Sequence, residues 1–313
     1  MRDRIAGVRF VWLNGELIPV DQAQVHLLTP AVLIGSNIIE GFVAYWNDDT
    51  RELFGFRLKD HAVRLHDSAK IVRMDVGYSP DEIVQAVVQT VRANEFKQDL
   101  HIRLIAYADI PGGPVFSHEE ISVCIAALPH ARVYAPDKPG IRCCTSSWRR
   151  IGDDSCPPRV KAGSNYQNSK LAFLEARAHG YDNCVMLTDA GKVSETPVAT
   201  LFMVRNGVAT TPTVTSSILE SITRDSVIDL FQRELRTTVR ARDVDRTELY
   251  LADEVFICGS ACEILPVVSL DGISIGDGSP GPVTRQIQRA YSEVTRGRRK
   301  EYFDWLQPVY SEA

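Results

Sequence analysis

The stretch from Pro129 to Pro139 divides this chain. It carries three prolines and little periodicity. Proline fixes φ and removes a backbone donor, so neither a helix nor a central strand is expected to run through it. Patterned sequence lies on both sides. The chain is therefore expected to form two domains, residues 1–128 and 140–313, joined by an interdomain linker over residues 129–139. With 313 residues there is enough chain for each to close its own core.

Before the linker, Asn14-Gly15 between residues 9–13 and 16–20 predicts a type I′ hairpin. Residues 57–73 carry a helical pattern, with Leu58, Ala62, Leu65 and Ala69 on one face. Ser79-Pro80-Asp81-Glu82 is a capping box with proline at the first helical position. It opens a helix with an apolar face of Ile83, Val84, Val87, Val88 and Val91. Strands follow at 101–108 and 121–128. Alternation puts His101, Arg103, Ile105 and Tyr107 on one face of the first, and Ile102, Leu104 and Ala106 on the other.

After the linker the pattern predicts strand 141–147, helix 166–179 stopped by Gly180, and strand 184–188. A hairpin of 200–205 and 208–211 turns at Asn206-Gly207. A helix starts near Ile222, strands follow at 237–243 and 254–259, and a last helix begins at Pro282. Strands and helices mix without strict alternation, so the class is α+β or mixed α/β, not a doubly wound sheet. No internal repeat is visible.

Bulk features exclude several functions. The formal net charge is -5, with no block of like charge, which points away from nucleic acid. No stretch nears the roughly 18 apolar residues that span a bilayer, and the N-terminus has no apolar signal core. Seven cysteines, an odd number without repeated spacing, fit buried thiols in a reducing cytoplasm. Cys258 and Cys262 are four apart, but no second pair completes a zinc site, so no metal is expected. Gly276 to Gly281 matches G-x-G-x-x-G. The dinucleotide fingerprint requires a strand–turn–helix opening a βαβ unit, whereas this loop follows a hairpin near the chain end.

Candidate chemistry concentrates after the linker. Lys161 stands in Val160-Lys161-Ala162-Gly163-Ser164-Asn165-Tyr166, where small residues let backbone approach a flat ligand and Ser164 or Asn165 can cap the next helix. Glu195 follows a turn at Asp189-Ala190-Gly191. One lysine amine and one carboxylate are the pair that a pyridoxal phosphate (PLP) enzyme needs, the first as nucleophile and base, the second against the pyridine nitrogen. Each has a plain alternative as a surface charge, and Lys170 reads as an exposed helix residue. Ser221-Ile222-Thr223-Arg224 opens a helix whose unused amides suit a phosphate, or only an ordinary serine cap. Gly259-Ser260-Ala261 suits an anion or a tight turn.

Six stretches in order carry a resemblance across almost the whole chain: Arg64 to Lys70, Lys161 to Tyr166, Glu175 to Tyr181, Ile222 to Asp225, Leu249 to Phe256, and Gly281 to Thr284. Together they resemble the class IV, fold-type IV PLP enzymes, nearest to the branched-chain amino acid aminotransferases. The resemblance implies a two-domain fold of the D-amino acid aminotransferase type, with a small N-terminal α/β domain, a larger C-terminal pseudo-barrel domain, and a homodimer or higher homo-oligomer. It implies that Lys161 bonds the cofactor and shuttles protons, that Tyr166 bonds its phenolic oxygen, and that Glu195 meets the pyridine nitrogen. Arg64, Ser221, Ile222 and Thr223 would hold phosphate, Leu219 would pack on the ring, and Ser260 and Ala261 would meet phosphate and substrate carboxylate. The substrate wall would comprise Ile34, Ile39, Gly41, Val43, His101 and Arg103.

Departures from the family concentrate in that wall. Ile34, Ile39 and Val43 stand where the family has tyrosine, phenylalanine and arginine, His101 where it has tyrosine, and Thr200 where it has asparagine. The cofactor set is kept while the wall is rewritten. The implied reaction is transamination between an L-amino acid and a 2-oxo acid such as 2-oxoglutarate. A PLP lyase of the same fold, splitting aminodeoxychorismate or directing the carbanion elsewhere, is the alternative. A third reading, a non-catalytic dimer, is opposed by the joint presence of Lys161, Tyr166, Glu195 and Arg64.

Overall fold

A computed structural model describes residue 5 and residues 7–116, 119–130 and 139–311. Most of the expected linker lies outside the described residues. Two compact units form: Met1–Ala131 with Val160–Ser164 and Glu293–Ala313, and Arg132–Arg159 with Asn165–Ser292. Residues 293–313, expected in the C-terminal domain, thus belong to the first unit, and the two units have nearly equal length.

The first unit contains β1 (Phe10–Leu13), β2 (Glu16–Pro19), α1 (Pro30–Leu33), β3 (Asn37–Asn47), β4 (Glu52–Phe56), α2 (Leu58–Val72), α3 (Pro80–Asn94), β5 (Leu100–Ala108) and β6 (Ile121–Pro129). A strand from the chain end, Leu306–Pro308, completes an antiparallel sheet in the order Leu306–Pro308, β4, β3, β5, β6, β1, β2. Asn14 and Gly15 take the positive φ that a type I′ turn demands. Ser79 and Glu82 make both capping-box bonds. Leu65 of α2 and Ile83, Val87 and Val91 of α3 pack with Ile38, Phe42, Ile102, Leu104 and Ile125 of the sheet in one core. The predicted alternation of β5 holds, with Ile102, Leu104 and Ala106 fully buried and Arg103 exposed.

The chain end is fixed by one acid. Glu52 Oε1 accepts from the amides of Val309 and Tyr310. Its Oε2 accepts from the amide and hydroxyl of Ser311. That latch, with the strand pairing to β4, accounts for the return of residues 293–313 to this unit.

The second unit contains β7 (Ile141–Arg149), α4 (Tyr166–Ala178), β8 (Asn183–Leu187), β9 (Thr200–Arg205), β10 (Val208–Thr211), α5 (Ile222–Glu234), β11 (Arg240–Ala241), α6 (Arg246–Tyr250), β12 (Glu254–Gly259), β13 (Glu263–Leu270), β14 (Ile273–Ser274) and α7 (Pro282–Thr295), whose last turn passes into the first unit. The sheet runs β11-β10-β9-β12-β13-β7-β8, with β14 paired to β13. It mixes parallel pairs (β10 with β11, β13 with β7, β7 with β8) and antiparallel ones. Leu201, Met203, Val255, Ile257 and Val267 form the core of this sheet. Phe202, Phe231 and Phe256 stack between α5 and the sheet.

Two local readings change, and one holds. The strand expected at 237–243 contracts to Arg240–Ala241. Asn165 occupies the cap position of α4 without a capping bond; its amide donates to Pro157 O instead. The glycine-rich loop before α7 is no anion seat, because Glu254 already accepts from the amides of Val283 and Thr284 at that helix start. Among the described residues no helix is long and apolar enough to cross a membrane. The seven cysteines are unpaired. Burial pushes the Cys143 and Cys258 thiols well above the ordinary thiol range.

Candidate active site

The first unit positions Lys161 by backbone pairing. The β4 partner covers only Ala44–Asn47 of β3, which leaves the earlier edge of β3 open. Lys161 and Ala162 occupy it: Ile39 N donates to Lys161 O at 2.8 Å, and Ile38 and Ala162 form an antiparallel bridge. Lys161 N donates to Ser68 Oγ on α2 at 3.2 Å, and Gly163 N to Asn37 Oδ1 at 3.2 Å. A Cβ at Gly163 would meet the side-chain amide of Asn37, which would have to move aside. Lys170, the rival amine, is exposed on α4.

Beside this segment, Glu40 is buried on β3 and grips Arg64 of α2 with both oxygens. Arg64 Nε reaches Oε1 at 2.8 Å and Nη2 reaches Oε2 at 2.8 Å. His61 Nδ1 lies 2.7 Å from Oε2. Burial alone would raise the Glu40 carboxyl; Arg64 and His61 overcome it and hold it well below the usual carboxylate range. The guanidinium of Arg64 is thereby locked in one plane.

On the opposite sheet face, register aligns Ile39 with Ile105, Gly41 with Arg103, and Val43 with His101. His101 stacks on His130, and its buried Nδ1 has no hydrogen-bond partner among the described residues. Burial first, then the charge of Arg103, pushes His101 down to about 4, so its imidazole is neutral at pH 7. Lys161 is close enough to add to that shift. Ile34 follows α1 and is exposed. The wall residues Ile39, Gly41, Val43, His101 and Arg103 therefore form one continuous surface.

The second unit holds Glu195, 5% exposed, after the turn at Asp189 to Gly191. Its carbonyl accepts from Met186 N. Its Oε1 receives Arg150 Nη2 at 2.8 Å and the amide of Leu219 at 3.2 Å. Arg150 did not stand out in the sequence, its buried partner lying 45 residues away. Ser221 caps α5 by accepting from Arg224 N, and the first-turn amides of Ile222 and Thr223 have no partner within the helix. Tyr166 is the first residue of α4, and Ser260 and Ala261 form the turn between β12 and β13. A helix start for phosphate and a buried, cation-backed carboxylate for a ring nitrogen are the donor chemistry that PLP needs, so this unit fits the cofactor.

The amino-transferase class IV family model matches residues 40–270, most of the chain. The chain belongs to the class IV aminotransferases. These are PLP enzymes, so the protein is a PLP-dependent transferase of amino groups with the mixed two-domain fold of fold-type IV. It is 39% identical to the branched-chain-amino-acid aminotransferase of Escherichia coli (strain K12), over 96% of this chain and 97% of that protein. The branched-chain aminotransferase of Thermoproteus uzoniensis, crystallised with norvaline, superposes with a TM-score of 0.91 at 41% identity, covering 96% of this chain and 99% of that one. The PLP form of the Thermobaculum terrenum enzyme gives a TM-score of 0.91 at 41% identity, over 97% and 99%. These aminotransferase relatives favour transamination over the lyase alternative.

Proposed function

We propose that this aminotransferase takes the amino group of an L-amino acid with a branched or comparably bulky apolar side chain and passes it to a 2-oxo acid such as 2-oxoglutarate. The observation that carries the reading is the buried Glu195, backed by Arg150 and the Leu219 amide, in a chain of this family. The donor class is drawn from the names of the relatives and from the apolar Ile34, Ile39 and Val43. Arg103 supplies a charge for the second carboxylate of a dicarboxylic acceptor.

Bound PLP supplies an aldehyde that captures amines and a ring that takes up the electron pair left by a departing α-proton. Lys161 is the amine that would hold that group covalently, and its Nζ would serve as the base for the substrate α-proton. Glu195 presents negative charge to the ring nitrogen. In the second unit Ser221, Ile222 and Thr223 would hold the phosphate, Tyr166 would bond the phenolic oxygen and Leu219 would pack on the ring; in the first unit Arg64 is the arginine that would serve the phosphate. Ser260 and Ala261 meet the substrate carboxylate, and Gly41 and His101 complete the side-chain wall.

We further propose a homodimer or higher homo-oligomer working in the cytoplasm. Leu27, Leu28, Val32, Leu33 and Phe116 are exposed on the first unit, and the bond from Gly112 N to Leu28 O draws their two loops together. Such a patch is ordinarily covered by a partner. The functional test is a screen of branched-chain, aromatic and acidic amino acids against 2-oxoglutarate. Turnover highest with leucine, isoleucine or valine supports the donor class, and turnover confined to acidic or aromatic donors refutes it.

A further inference from the structure

Arg150 follows the last residue of β7, and its amide donates to Leu187 O at the end of β8. The register of β7 against β8 shifts between Thr145 and Arg149, and Arg150 lies on the same side of the strand as the buried Cys144 and Ser146. The neighbouring Arg149 is exposed, whereas Arg150 is 8% exposed. Its Nη1 donates to Ser169 Oγ at 3.3 Å, its Nη2 meets Glu195 Oε1 at 2.8 Å, and its Nε has no partner among the described residues. A buried guanidinium is costly to hold, and its one charged contact is the acid assigned to the cofactor nitrogen. An acid as deeply buried as Glu195 would take up a proton if it lacked a cation, and a neutral acid no longer presents negative charge to a ring nitrogen.

We propose that Arg150 is a positioning residue that keeps Glu195 an oriented anion and so sets the protonation of the cofactor ring. This rests on the functional reading above. Arg150 and the Leu219 amide both bond Oε1, which fixes the plane of the carboxylate. Arg150 acts through Glu195 alone, so its loss and the loss of the Glu195 charge are one perturbation, not two.

The test is a double-mutant cycle on the full-length protein with PLP, read by the PLP dissociation constant and by the pH midpoint of the bound-cofactor absorbance. Arg150→Met and Glu195→Gln are each expected to weaken PLP at least tenfold and to move the midpoint by about one unit or more. The double variant is expected to be no weaker than Glu195→Gln. Ser169→Ala, which removes the other partner of Arg150, is expected to stay within about threefold of the parent. Arg150→Met within threefold of the parent, or losses that multiply in the double variant, overturn the proposal. So does a Ser169→Ala loss equal to that of Arg150→Met. Should Arg150→Met not fold, Arg150→Lys decides: an intermediate midpoint supports the proposal and an unchanged one overturns it. Parent protein with no borohydride-sensitive PLP absorbance refutes the functional reading itself, a result distinct from all of these.

Discussion

Glu40 and Arg64 form a two-point ion pair, with both N···O distances at 2.8 Å, between the middle of β3 and the middle of α2. The acid is fully enclosed, and the arginine is the residue assigned to the cofactor phosphate. A strand thus fixes the orientation of a helix side chain. Glu40→Gln leaves the partly buried guanidinium of Arg64 and the buried His61 without their anion. Breaking a buried pair costs about 3 to 5 kcal/mol, and urea unfolding is expected to show a loss of that order. PLP affinity is expected to fall about tenfold, since roughly 1.4 kcal/mol of lost orientation gives that factor.

Acid sensitivity is expected between pH 6.5 and 4. His61 and His101 both titrate below the ordinary histidine value of 6.5 in the folded protein, chiefly because they are buried. A lowered folded-state pKa means that the unfolded chain binds more protons, so stability rises with pH. The contribution is complete above pH 6.5 and is lost as pH falls through the folded values. For His101 it amounts to at most about 3 kcal/mol. Melting temperature measured against pH is expected to decline across this window and to decline less in His101→Asn. An identical slope in that variant contradicts the assignment.

Gly41 makes room for His101. A Cβ at position 41 would stand 3.3 Å from His101 Cε1 and Nε2, so the imidazole must yield by a few tenths of an ångström. Gly41→Ala is expected to change stability by less than about 1.5 kcal/mol. It is also expected to lower kcat/KM for the preferred donor about tenfold, because the wall moves while the fold survives. Steady-state kinetics beside a melting curve separates the two effects.

Local chemistry made much of this legible. The Asn14-Gly15 turn, the Ser79–Glu82 box and the Ser221 cap depend on residues within one turn of each other, and each formed as expected. Strand β3 did not read as a strand. Its core face places Glu40 between Ile38 and Phe42, while its other face carries Ile39 and Val43, so polar and apolar residues do not alternate. The Glu52 latch joins residues more than 250 apart, a pairing that no periodicity reports. Arg150 was hidden for a related reason: its partner Glu195 lies 45 residues further along the chain, a pairing that local sequence does not report. The wall residues were legible as departures from a family pattern, but the stacking of His101 on His130 was not.

The most direct measurement of the central claim is peptide mapping by mass spectrometry after PLP-loaded protein is reduced with borohydride and digested. A phosphopyridoxyl label on Lys161, absent from Lys161→Ala along with transaminase turnover, is the predicted result. A label on Lys170 or another lysine, or turnover retained in Lys161→Ala, would contradict the account.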